Sequence, residues 1–252
     1  MSTVVVLIEE NSMILWLEKT RCWLKHSDSS SVQSLVAALK SLRLISLPRC
    51  DWLFGSCYAV RNLCLSSAGT LARVLWSTPL FRSQVIGSCN RLYLYCGIPF
   101  VAGKLQIHVG DDCRISGQTT FSGRADPAIE PILYVGNNVD IGWQTTVAVG
   151  RRVVLQDNVR IAGQCFLAGY PGHPLDAKQR AAGLPCQQSQ VGDIVLQRDV
   201  WLATGVKVMA GVTIGAGTVV AAGSVVCSDL PAGVLAAGVP AQVIRQLAEA
   251  TS

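Results

Sequence analysis

A chain of 252 residues holds one large domain or two modest ones, and with half its residues hydrophobic and 15% charged it has material for a core and apolar surface to spare. Its ten cysteines include no Cys-x-x-Cys pair and none at metal-site spacing with histidine, which argues against a disulfide framework or a zinc module and for small hydrophobes in a reducing cytosol. The formal charge of +5 is uneven: residues 13–106 carry eleven Lys/Arg against three Asp/Glu, whereas residues 107–252 carry ten against eleven.

In chain order, Glu9 and Glu10 interrupt the first apolar run and no small-residue cleavage site follows, so the start does not read as a signal peptide. Met13 offers a second plausible start. Val32, Leu35, Val36, Leu39, Leu42 and Ile45 follow helical spacing, with Ser30 or Ser31 as the expected cap and Pro48 beyond the end. Leu71, Val74 and Leu75 continue a second helical pattern, with a break expected at Pro79. Four of the six tryptophans lie in this half: Trp16, Trp23, Trp52 and Trp76. Basic, aromatic, amphipathic segments of this kind read as surface helices on an anionic membrane. Packing on the rest of the protein or on a neighbour explains them equally well. A basic patch also attracts nucleic acid, but no recognition motif is present.

Beyond residue 106 the pattern changes. Val109, Ile115 and Phe121 are six apart, as are Val135, Ile141 and Val147, and then Val149, Leu155, Ile161 and Leu167. From Leu196 the series Leu202, Val208, Ile214, Val220 and Val226 is unbroken. Val200, Val206, Val212, Thr218 and Ser224 precede these by two, and small residues such as Ala203, Gly215 and Ala221 often follow. A hexapeptide period signals a parallel β-helix. Each unit is one short strand and one turn, three units make a coil, and the apolar residue of each unit points inward and stacks on the next coil. The same period explains Val208–Ser228, a stretch of 21 residues without charge that is long enough to span a bilayer. A membrane helix has no reason to repeat its large residues every six positions. The register breaks twice, over 123–134 and from about Gly169 to Gln190.

The second break carries His173, flanked by Pro171, Gly172, Pro174 and Pro185, in an excursion long enough to be functional. Histidine suits a general base because its ordinary pKa lies near neutrality. His26 reads as solvated and His108 as structural.

Residues Val109–Leu247 resemble the hexapeptide-repeat acyltransferases, closest to the maltose, galactoside and nodulation-type O-acetyltransferases. Three stretches carry the resemblance. The loop from Gly172 through His173, Pro174, Leu175, Asp176 and Arg180 to Gly183 is similar to that group's His-Pro-Leu-Asp loop. Asp199-Val200-Trp201-Leu202-Ala203 resembles its Asn-Val-Trp-Ile-Gly coil, and Ala236–Arg245 its closing Gly-Val-Pro-Ala-x-Val-Ile segment. The resemblance implies a mainly β fold, a left-handed parallel β-helix with an α-helical N-terminal region, and His173 as general base. It implies Trp201 near the cleft, and Thr204, Ala222, Cys227, Ser228 and Arg245 along the coenzyme A groove. Related enzymes often carry Thr-Lys where Cys227-Ser228 stand, which removes one expected cation. For the Asn that assists the acceptor, Gln144 is the stand-in, with Trp143 and Asp140 beside it. Asp176 has two readings, orienting His173 or making a turn after Pro174. Arg180 has two also, pairing with a coenzyme phosphate or with a loop carboxylate. The serine acetyltransferase motif His-Gly-Thr-Gly is absent. The β-helical γ-carbonic anhydrases need three histidine ligands, and here the third is missing, so no metal site is expected.

The expected organisation is a basic helical region over 1–106, a β-helical acyltransferase domain over 107–247 with the loop 169–190, and a tail over 248–252. The expected activity is transfer of acetyl from acetyl-coenzyme A, a co-substrate rather than a resident cofactor, to a saccharide or lipid-linked glycan. A homotrimer with clefts between subunits is implied, in the cytoplasm at the inner face of a membrane, with no nucleic-acid partner. The alternatives are an acyl-carrier-protein donor docking on the basic half, and a β-helix scaffold without catalysis.

Overall fold

The computed structural model describes residues 15–16, 18–125 and 130–247. The readings at Glu9, Glu10 and Met13 and the tail 248–252 lie outside them. The chain divides into two units, 1–61 and 62–252.

In the first unit, helix α1 (18–26) is followed by α2 (Ser30–Leu42). Ser29, not Ser30 or Ser31, occupies the N-cap, and its side chain makes no capping bond. Helix α3 (Asp51–Ala72) runs across the boundary between the units. Neither α2 nor α3 has a fully buried residue. Among the described residues no helix is long and apolar enough to cross a membrane.

The expected break at Pro79 is not seen. The chain passes through a π-helical turn, Arg73–Ser77, into α4 (Thr78–Arg82), with Pro79 in its first turn. Proline lacks an N–H and its ring crowds the carbonyl four residues back. The wider π turn just before it accommodates both, and the first turn of a helix has no use for that N–H.

The second unit is a parallel β-helix with three sheets as its faces, of eight, six and five strands. In the first face Tyr93–Tyr95, Arg114–Ser116, Asp140–Ile141, Arg160–Ile161, Trp201–Leu202 and Val219–Val220 stack in parallel. An antiparallel hairpin, Val234–Gly238 with Ala241–Gln246, closes this face. The second face runs from Phe100–Ala102 to Val225–Val226, and the third from Gln106–Val109 to Thr213–Ile214. The boundary expected at 106/107 therefore falls inside the first coil. Leu94 and Val101 are seven apart rather than six, because Cys96-Gly97-Ile98-Pro99 fills the corner between them.

Every residue of the six-residue series from Val109 to Val226 is buried, as are Val200, Val206, Val212, Thr218 and Ser224. Burying such an aliphatic side chain is worth about 1.5–3 kcal/mol, and the inward column makes most of the core of this unit, joined by Phe81 of α4 against Phe121. Leu202 pairs with Val220, three hexapeptides on. The two-residue slip between Val147 and Val149 is absorbed by the longer strand Thr146–Val149, in which both valines point inward. The corners fix the strand ends. Asp112, Asn138, Asn158 and Asp199 all have positive φ at the third-to-first corner, a conformation that Asn and Asp tolerate. The last three form a side-chain ladder there, with Asn138 donating to Asn158 at 2.7 Å and Asn158 to Asp199 at 2.9 Å.

The cysteines divide in a way composition did not foretell. Cys89, Cys113, Cys165 and Cys186 are buried, whereas Cys22, Cys57, Cys64, Cys96 and Cys227 are exposed. The buried four belong to the coils and the loop. Burial pushes the Cys113 thiol up to about 11, and raises Cys165 and Cys89 in the same way.

Candidate active site

Both breaks in the repeat leave the coil at the same corner, between the second and third faces. One follows Thr120–Gly123 and the other follows Phe166–Ala168. The second departs at Gly169, whose N–H donates to Ala148, and is received again where the Gly192 N–H donates to Gly169. It is held firmly. Arg124, buried at the root of the first excursion, donates to the Cys186 carbonyl at 2.8 Å. Asp176 caps the short helix α5 (Ala177–Ala181) by accepting from the Gln179 N–H at 2.8 Å. Arg180 reaches back and donates to the carbonyls of Pro174 at 3.0 Å and Leu175 at 2.6 Å.

These contacts bear on the readings of two residues. Asp176 has the turn role: its carboxylate is used as a helix cap, where backbone N–H groups attract it. Arg180 shows no ion pair with a loop carboxylate among the described residues. Its guanidinium is spent on the carbonyls next to His173, and so fixes the backbone that carries the histidine. Pro174 is buried and His173 beside it is exposed. The loop thus presents an imidazole outward from a pinned backbone. Among the described residues, no protein group hydrogen-bonds to it.

A second group forms on the first face. Asp140, Trp143 and Trp201 line a hollow of about 390 Å³ together with Tyr95 and Arg160. Register explains the gathering: Asp140 pairs with Arg160 and Arg160 with Trp201, each just ahead of an inward residue. Trp143 follows Ile141 in the same coil and its ring lies over the next, where a Cβ on Gly163 would come within 2.5 Å of its indole nitrogen. Only glycine lets the ring lie there. Trp143 and Trp201 remain about half exposed. The Tyr95 hydroxyl donates to the Ile141 carbonyl, and burial followed by the Asp140 charge raises its pKa. Arg114 stands 3.5 Å from Asp140, and Arg160 donates to the Asn138 carbonyl and, at 3.0 Å, to its side-chain oxygen.

Arg160 was within reach of the sequence, since it precedes Ile161 as Asp140 precedes Ile141. Tyr95 was not, because it lies in a segment without the period. Gln144 does not line this hollow. It has positive φ at the first-to-second corner and accepts from Gln164, one coil on, at 3.2 Å. It is a corner residue of the coil rather than a member of the hollow.

The five coenzyme candidates are all exposed and stand in three places. Thr204 and Ala222 stack at the first-to-second corner, where the Gly223 N–H donates to the Thr204 carbonyl at 2.9 Å. Cys227 and Ser228 follow Val225–Val226 at the second-to-third corner, in the row from which the His173 loop leaves. Arg245 pairs with Leu235 in the closing hairpin on the first face. A single chain does not converge them on His173.

Residues 193–228 match the family model described as bacterial transferase hexapeptide (six repeats). The Saccharomyces cerevisiae protein YJL218W, whose name assigns it provisionally to the acetyltransferases, is 39% identical over 121 residues, 48% of this chain and 59% of its own. The galactoside O-acetyltransferase of Escherichia coli is 35% identical over 127 residues, 47% of this chain and 60% of its own. The chain thus matches about six-tenths of the length of these relatives. Among solved structures, AntD, an N-acyltransferase from Bacillus cereus in complex with dTDP and 3-hydroxybutyryl-CoA, superposes with a TM-score of 0.53 at 16% identity, over 68% of this chain and 88% of that one. That likeness is one of fold. With the six-residue core, the three stacked faces and these matches, the repeat region is a left-handed β-helix similar in sequence to the bacterial hexapeptide transferases.

Proposed function

We propose that this chain is an acetyl-coenzyme A-dependent O-acetyltransferase acting on a saccharide hydroxyl, with His173 as general base. The observation that carries the reading is the loop: an exposed imidazole on a backbone held by Arg180, Asp176 and Arg124. The backbone that carries the histidine is thereby set before substrate arrives. The similarity to a galactoside O-acetyltransferase supports a sugar acceptor. So does the hollow of Trp143, Trp201 and Tyr95, where aromatic faces stand beside the carboxylate of Asp140.

The chemistry balances with one base. The His173 imidazole takes the proton of the acceptor hydroxyl as its oxygen attacks the thioester carbonyl. The tetrahedral oxyanion collapses, the carbon–sulfur bond breaks, and the coenzyme thiolate leaves with the proton that His173 held. Backbone N–H groups at the loop or corner stabilise the oxyanion. Because His173, Thr204 and Ala222 do not converge in one chain, the working cleft is read as one between subunits of a homotrimer. The exposed tryptophans and cations of the N-terminal helices are read as a membrane-facing surface, which would bring the enzyme to a lipid-linked glycan.

The test is His173→Ala, with thiol release from acetyl-coenzyme A measured in the presence of galactosides. General-base loss lowers the rate by about 10²–10⁴ with thermal stability unchanged, since His173 is exposed and has no hydrogen-bond partner among the described residues. Transfer at the wild-type rate would overturn the assignment.

A further inference from the structure

Within the first unit, α1 and α2 enclose a hollow of about 440 Å³. Its floor is aliphatic, from Leu24, Val36 and Leu39. Its rim is cationic, with Arg21 and Lys25 on α1 and Lys40 and Arg43 at the end of α2. No carboxylate lines it, and among the described residues none of the four cationic side chains makes an ion pair or a hydrogen bond. The described carboxylates of this unit are placed elsewhere: Asp51 pairs with Arg49 at 2.8 Å, and Glu18 and Asp28 are outside the lining.

Four like charges around an apolar floor repel one another, and among the described residues no carboxylate of the lining offsets them. The complementary ligand carries negative charge at one end and hydrocarbon at the other. A bare anion would leave the floor wet, and a neutral lipid would leave the rim unpaired. Guanidinium groups fit phosphate oxygens with paired N–H donors, and lysines add charge. We propose that this hollow seats the phosphate headgroup of an anionic membrane phospholipid, with the glycerol and first acyl carbons on Leu24, Val36 and Leu39. The inference rests on the membrane-surface reading of the N-terminal helices and is independent of the chemistry assigned to His173.

The experiment uses the full chain and sedimentation with phosphatidylcholine vesicles, with and without phosphatidylglycerol. The wild type binds the phosphatidylglycerol vesicles, more weakly as salt is raised. A variant with one groove cation removed from each helix, K25Q/K40Q, is compared with K19Q/R49Q, which removes two exposed cations of the same unit outside the groove. A cation near an anionic bilayer is worth roughly fivefold in partition. The groove pair therefore loses on the order of 25-fold or more, and the control pair a few-fold at most. Circular dichroism checks that both keep their helices. Leu39→Ser, which leaves every charge in place, also weakens binding, and stands in if K25Q/K40Q loses helix.

Equal losses in the two pairs would overturn the groove while leaving a general membrane attraction. Wild type that ignores phosphatidylglycerol vesicles would overturn the membrane reading as well. Inorganic phosphate that displaces the chain from vesicles at equimolar amounts would assign the hollow to free phosphate and sink the lipid. Acetyl transfer to a soluble sugar is unchanged in all these variants, which keeps this test apart from that of His173.

Discussion

The β-helix and the N-terminal helices solve the burial of apolar residues in opposite ways. In the β-helix the inward positions meet their counterparts in neighbouring coils, and the buried column is largely self-covering, with Phe81 of α4 packed on Phe121. In α2 and α3 no residue is fully buried, and Leu39, Leu42, Trp52, Leu63 and Leu71 all stay about half exposed or more. A repeat specifies its own partner, because each coil is the surface that the next one covers. An isolated apolar helix specifies only that a partner is needed.

The largest way to break this contrast is in the core. Leu202→Ala removes a fully buried side chain between Ile161 and Val220 and is expected to cost about 2–5 kcal/mol. Leu39→Ala on α2 is expected to cost within about 0.5 kcal/mol. Denaturant unfolding of both variants checks this, and similar losses would mean that the helices are covered by the protein itself.

Thiol chemistry sharpens the same contrast. Cys57 and Cys64 on α3 are exposed, whereas burial raises Cys113 from 9.0 to about 11. Two pH units less acidity leaves about a hundredfold less thiolate at neutral pH, before access is counted. Timed alkylation followed by peptide mass spectrometry should label the α3 cysteines first, with Cys113 modified only on unfolding. Comparable rates would show that the first coil opens readily.

A smaller effect is expected at the corner under Trp143. Gly163→Ala places a methyl where the indole lies, and its nearest contact would be 2.5 Å. Trp143 must swing away, at a cost of about 1–3 kcal/mol, with a shift in tryptophan emission and weaker sugar acceptance. An unchanged KM for the acceptor would remove Trp143 from the substrate hollow.

Much of the coil was legible because its code is simple: one large apolar residue in every six, confirmed at each inward position from Val109 to Val226. The first coil escaped because Tyr93–Ala102 is one residue out of step and its corner is filled by Cys96 and Gly97. His173 was legible through its loop, but the tasks of its neighbours were not. Asp176 and Arg180 were candidates by charge, yet charge does not say whether a group will be spent on nearby backbone. In a loop that returns on itself, the carbonyls of Pro174 and Leu175 and the N–H of Gln179 were the nearer partners. Gln144 shows the same limit at a corner, where left-handed backbone and a neighbour one coil away claim the side chain.

The corner between the second and third faces admits long excursions without disturbing the stack. It does so twice, two coils apart, and Arg124 fastens one excursion to the other through Cys186. The same corner recurs as a tight turn around Gly211, between Met209 and Thr213. That row behaves as a set of sockets on a rigid frame. A segment spliced at Gly211 would emerge one coil from the His173 loop, so that changing what approaches the imidazole requires lengthening a turn and leaves the core untouched.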